Sequence, residues 1–120
     1  MDTLPAVGWA LSGLGAFPLL ASSTMKLIHH PVVVKNLSSF GFKTESLRSL
    51  GVAEMTIAIL TLVPATSLFG VILATGWMGG AIATHLRVGD KFVIQTIVPI
   101  LIWVGFALGH QALFEQAFGM

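Results

Sequence analysis

Residues 55–86 contain no Asp, Glu, Lys or Arg, residues 92–114 contain none, and residues 1–25 carry only Asp2. The remaining charges are grouped: Lys26, Lys35, Lys43, Glu45, Arg48 and Glu54, then Arg87, Asp90 and Lys91, with Glu115 alone near the end. Charge-free stretches of this length suit a hydrocarbon solvent, because ~20 largely apolar residues at 1.5 Å each cross ~30 Å of acyl chain. Composition removes the alternatives. AVILMFWYC make up 55% of the 120 residues, 13 glycines come on top, and 9% are charged, where soluble domains have ~25%. Small domains bury only about 60% of the surface they expose when unfolded, too little to hide that apolar content from water. Disorder, which needs a polar and charge-rich chain, is excluded by the same figures.

The long charge-free stretch is interrupted by Pro64-Ala-Thr-Ser67, a turn signal. The chain therefore reads as one all-α domain, a four-helix transmembrane bundle with helices at roughly 4–28, 46–64, 67–87 and 92–114. Short turns at 64–67 and 88–91 make consecutive helices antiparallel. The first connection is long, and its Val32-Val33-Val34 and Phe40-Gly41-Phe42 segments place it on the membrane surface. The N-terminus has no basic region and its apolar run ends at Lys26, so a retained first span is expected rather than a signal peptide. Every Lys and Arg flanks the first or third loop. The positive-inside rule then puts both termini outside the cytoplasm, with a bacterial inner membrane as the expected location.

Helix association in lipid depends on small residues that let backbones approach. Gly76 and Gly80, Gly105 and Gly109, and the strip Gly8, Ser12 and Gly15 are expected at contacts within the bundle, a dimer seam being the alternative. Pro18 and Pro99 fall inside helices and open space between them. Trp9, Trp77 and Trp103 are too scattered to form an interfacial belt.

Polar groups in the spans carry the chemistry. Glu54 lies one residue from the middle of the second span, the most expensive depth for a carboxylate. It must face the bundle, pair with a cation or stay neutral, and it serves either as a hydrogen-bonding structural acid or as a proton carrier or ligand anchor. Its same-face neighbours offer only the Thr61 hydroxyl, so partners come from other helices, Lys26 first and His85 second. Lys26 sits roughly 12–15 Å from the midplane by helix rise. Its commoner fate is to snorkel outward; the alternative is to bend inward past Ser22 and Ser23. Ser22, Ser23, Trp77, Thr84, Arg87 and Gln95 are the candidate ligand-binding residues, and the polar ones crowd one half of the bilayer with His85. One-sided polarity suggests a cavity opening toward the cytoplasm. No metal site is expected: there is no Cys, and His29-His30 lacks ligand spacing. A net charge of +1 excludes a nucleic-acid footprint.

Three segments resemble the DoxX-like membrane proteins: Ser23-Thr-Met-Lys26-Leu27, Gly51-Val-Ala-Glu54, and Gly79-Gly-Ala-Ile-Ala-Thr-His85-Leu-Arg87-Val-Gly89-Asp90. The likeness spans nearly the whole chain, including His30-Pro31 in the first loop. It implies a four-helix integral membrane protein with functional positions at Lys26, Glu54, His85 and Arg87. Some relatives are linked to thiosulfate oxidation with quinone as acceptor, others to redox-stress complexes or to assembly of membrane proteins. Three functions follow as expectations. One is a redox-associated protein that binds a quinone or another lipophilic molecule in an intrabundle cavity. The second is a cofactor-free isomerase, hydrolase or cyclase using Glu54 as acid or base, with Lys26 and His85 beside it. The third is a non-catalytic assembly partner for another membrane protein; besides the lipid bilayer, the expected partners are such a protein or further copies of the chain in a homo-oligomer.

Overall fold

The computed structural model describes residues 3–119, and their regular structure is all helical. Asp2 lies outside the described residues. The elements are α1 (Leu4–Leu27), α2 (Pro31–Ser39), α3 (Ser46–Leu62), a 3-10 turn (Pro64–Thr66), α4 (Ser67–Arg87), α5 (Val93–Gly109) and α6 (Gln111–Phe118). Four of them close a ring, α1 packing on α3 and α5, and α4 packing on the same two. Leu19, Ile57, Ala58, Val71, Ala74, Met78, Val98, Ile102 and Phe106 fill its centre. Outside it, Phe17 is 67% exposed and Phe69 66%. Large apolar side chains stripped of cover in this way face lipid.

The helix α1 and the segment Pro64–Arg87 are each long and apolar enough to cross a membrane. The helix α5 meets that test only together with α6, and the two are bent by 91° where they join. The fourth helix was expected to run on to residue 114. It ends instead at Gly109, where His110 caps neither helix regularly (φ −135°) and turns its ring back onto Phe106, centroids 4.2 Å apart. At 17 residues each, α3 and α5 are the shortest of the ring, and α3 carries Arg48 and Glu54.

The long first connection also differs from expectation, since it contains α2. Pro31 starts this helix at a position where its missing N–H is no loss, and His30 Nδ1 accepts from the Val32 N–H at 3.2 Å. Asn36, Leu37, Val33 and Phe40 recur at helical spacing and turn toward the ring, leaving Val32, Lys35, Ser38 and Ser39 outside. The β-branched run that suggested a surface loop is thus one turn of an amphipathic helix. Gly41, at φ +91°, lets the chain leave it.

Glycine packing follows one expectation and overturns another. A Cβ at Gly105 would sit 2.5 Å from Ser12 Oγ and 2.6 Å from Gly8 O, and one at Gly15 would sit 2.8 Å from Ile102 Cγ1. Bare backbone on both sides is what lets α1 and α5 touch. Gly76 and Gly80 do nothing of the kind: a Cβ at either would meet no atom within 4 Å. The close approach on α4 is made by Gly70, whose missing side chain makes room for the Thr61 backbone at the α3–α4 turn.

Candidate functional site

The last turn of α1, the middle of α3 and the middle of α4 meet at one carboxylate. Lys26 Nζ donates to Glu54 Oε1 at 2.9 Å, and Trp77 Nε1–H donates to Glu54 Oε2 at 2.7 Å. Lys26 also donates to Ser22 Oγ, one turn back on its own helix, at 2.8 Å, and lies 6.0 Å from the centre of the Trp77 ring. Glu54 is 3% exposed and Lys26 8%. Among the described residues this is the one buried ion pair. Such a pair stands only if geometry and further hydrogen bonds offset the desolvation of both ions. Here both carboxylate oxygens accept from a donor, and the ammonium has Ser22 Oγ and the indole ring beside it as well as Glu54. The cation that Glu54 required has reached it. Lys26 does not snorkel; it turns inward, as the second of its two expected fates.

A cavity of about 490 Å³ opens beside the pair. Pro18, Leu19, Ser22 and Lys26 form its wall from α1, Leu50 and Glu54 from α3, Gly76, Trp77, Gly80, Ala81 and Thr84 from α4, and Ile94, Gln95 and Val98 from α5. A few polar groups in a mostly apolar concavity of this size is the usual form of a small-molecule site. Val33, Asn36 and Leu37 of α2, with Phe40 just past its end, close the end nearest the loops. The sequence reading missed them, although their spacing after His30-Pro31 was there to be read.

His85 is not the partner of Glu54. Its ring lies at the α2 end of the cavity, with Nδ1 3.1 Å from Asp90 Oδ2, Nε2 3.3 Å from Gln95 Nε2 and the Phe40 ring tilted beside it, centroids 4.7 Å apart. An amide nitrogen only donates, so His85 Nε2 accepts from Gln95, and the Nδ1–H donates to Asp90 Oδ2. The turn sets this arrangement: Gly89, at φ +73°, brings the Asp90 N–H to the His85 carbonyl at 2.8 Å, delivering the carboxylate to the ring.

Other expected site residues divide. Ser22, Trp77, Thr84 and Gln95 line the cavity with Lys26, Glu54 and His85. Ser23 does not. It is buried against α3, donating to the Leu20 carbonyl and standing 3.7 Å from Met55 Sδ. Arg87 is exposed past the cavity, where its guanidinium donates to the Phe40 carbonyl and ties the end of α2 to the end of α4. At the other end of the ring, Trp9, Thr61, Ser67 and His110 pack without leaving a void. No three His, Asp or Glu side chains converge among the described residues.

An all-helical chain with lipid-facing apolar helices and a buried ion pair among them is a membrane protein. The chain belongs to the DoxX-like family, whose profile matches residues 10–109. No curated protein and no solved structure matches it.

Proposed function

We propose that this membrane protein binds a lipophilic small molecule with an oxygen-bearing head, a quinone being the foremost candidate, in the cavity beside Lys26 and Glu54. One observation carries the reading: a buried ion pair, both of its carboxylate oxygens already hydrogen-bonded, forms part of the wall of an apolar cavity of about 490 Å³. Ser22 and Glu54 use two of the three N–H donors of Lys26. The third has no protein acceptor among the described residues, and a carbonyl oxygen entering the cavity supplies one. A donor already desolvated binds such an oxygen more strongly than a solvated one. Family membership supports a redox association, since some DoxX-like proteins work with quinone. In this reading α1, α3, α4 and α5 are four spans in a bacterial inner membrane, with both termini outside the cytoplasm.

The test is titration of the purified protein with a short-chain alkyl benzoquinone, read by quenching of Trp fluorescence. Quenching should saturate, and Trp77→Phe should remove most of it. Quenching that rises linearly with quinone, or that survives intact in Trp77→Phe, rejects the site. A cofactor-free acid–base enzyme is the second reading, favoured because Glu54 itself lines the cavity. Turnover of an apolar epoxide or isoprenoid, lost in Glu54→Gln, would select it.

A further inference from the structure

The cavity wall thins on one side. Around α4, residues step by 100°, 3.6 to the turn. Thr75, whose Oγ1 accepts from Trp103 Nε1 at 2.7 Å, marks the side turned to α5. Gly70 against the Thr61 backbone and Trp77 on Glu54 mark the side turned to α3. Gly76 and Gly80, one turn apart, lie past Trp77 on the flank away from α5. Both line the cavity, both are exposed, and neither would place a Cβ within 4 Å of another atom. The helices α3 and α4 are pinned together at their turn and at the Trp77–Glu54 bond. Past Trp77 on that flank, the wall at Gly76 and Gly80 is bare backbone, with Thr84 one turn farther on.

Depth decides what this gap faces. Gly76 stands at the middle of the apolar segment Pro64–Arg87, and Gly80 is about 6 Å farther along by helix rise. Both are at the level of acyl chains rather than headgroups. The opposite end, closed by α2, is lined by the polar Asn36, Thr84, His85 and Gln95.

We infer that the cavity opens sideways into the hydrocarbon between α3 and α4 at Gly76 and Gly80, and that this slot passes the alkyl or prenyl tail of the bound molecule. The inference rests on the ligand reading above and adds the class of ligand: a polar ring carrying a long apolar tail, taken from the bilayer. A cavity of about 490 Å³ holds the head and the first part of the tail. The rest lies in lipid, where it exchanges one hydrocarbon surrounding for another and loses no solvation.

Two probes separate head from tail: a benzoquinone without a side chain, and the same ring bearing a decyl chain. Gly80→Leu fills the slot, Gly76→Leu repeats the test one turn away, and Gly79→Leu is the control, since Gly79 is also in open space but outside the cavity. Both slot variants should melt like the parent and bind the tailless ring as before. Each should bind the decyl probe at least about tenfold more weakly, equivalent to ~1.4 kcal/mol. Gly79→Leu should change neither. Unchanged decyl binding in both slot variants, or equal weakening of both probes, overturns the slot. If the parent binds neither probe, the ligand reading itself is wrong and the slot goes with it.

Discussion

Lys26 and Trp77 hold the two oxygens of one carboxylate from different helices, the ammonium at 2.9 Å from Glu54 Oε1 and the indole N–H at 2.7 Å from Oε2. A single acidic side chain thereby ties α1, α3 and α4 at one level of the bundle. The wall of the cavity and a joint of the fold are the same group of atoms.

Breaking that group from one side should be severe. Glu54→Leu leaves Lys26 buried without its counter-ion, an imbalance of about 3–5 kcal/mol. Glu54→Gln also removes the counter-ion and turns its NH2 on either Lys26 or Trp77, but it keeps the shape and one acceptor, so its loss should be smaller than that of Glu54→Leu while any acid–base activity disappears. The double variant Lys26→Met/Glu54→Leu should recover most of the stability lost in Glu54→Leu. Thermal unfolding in detergent reads all three; a double variant no more stable than Glu54→Leu would show that the charges are not coupled.

Glycine substitutions should follow the local space rather than the motif. Gly70→Ala drives a methyl into the Thr61 backbone, and Gly105→Ala drives one into Gly8 O and Ser12 Oγ. Each should lose about 1–3 kcal/mol, as overpacked sites do. Gly80→Ala meets open space and should melt within a degree or two of the parent. Equal losses at Gly80 and Gly105 would mean that α4 packs on something at its open flank.

Removing the tie between Arg87 and the Phe40 carbonyl should loosen α2 alone. Arg87→Ala takes away one charged hydrogen bond at an exposed site, a loss of at most ~1 kcal/mol overall. Amide exchange in Pro31–Ser39 should speed up while α1 and α4 stay protected. Exchange that rises equally throughout the ring would place Arg87 in the global fold instead.

Orientation is testable directly. Every Lys and Arg flanks the loops at the α2 end, so a reporter joined after Met120, which lies outside the described residues, should be active only on the non-cytoplasmic side. A thiol introduced at Lys35 should be labelled only from the cytoplasm. Activity of the C-terminal reporter inside the cell would reverse the topology.

The segments of the fold were legible along the chain because hydrocarbon admits no unpaired charge, and the positions of Lys26, Arg87, Asp90 and Lys91 alone outline where helices end. Ser46 and Arg87 bound their helices where the sequence placed them. So did the need of Glu54 for a partner, since an acid at that depth cannot stand by itself. Which partner, however, depended on how α1 is set along its axis, and no local pattern encodes that shift; the same Lys26 could have reached the headgroups. His85 was drawn off by Asp90, five residues on, through a turn whose closure needs Gly89 at positive φ. Gly76-x-x-x-Gly80 and Gly105-x-x-x-Gly109 are the same motif, yet Gly105 is pressed against α1 and Gly80 is bare. A motif records only that a backbone can be approached. Whether another helix approaches it is decided by which faces the whole ring turns inward, and that is a property of four helices packed together rather than of any one of them.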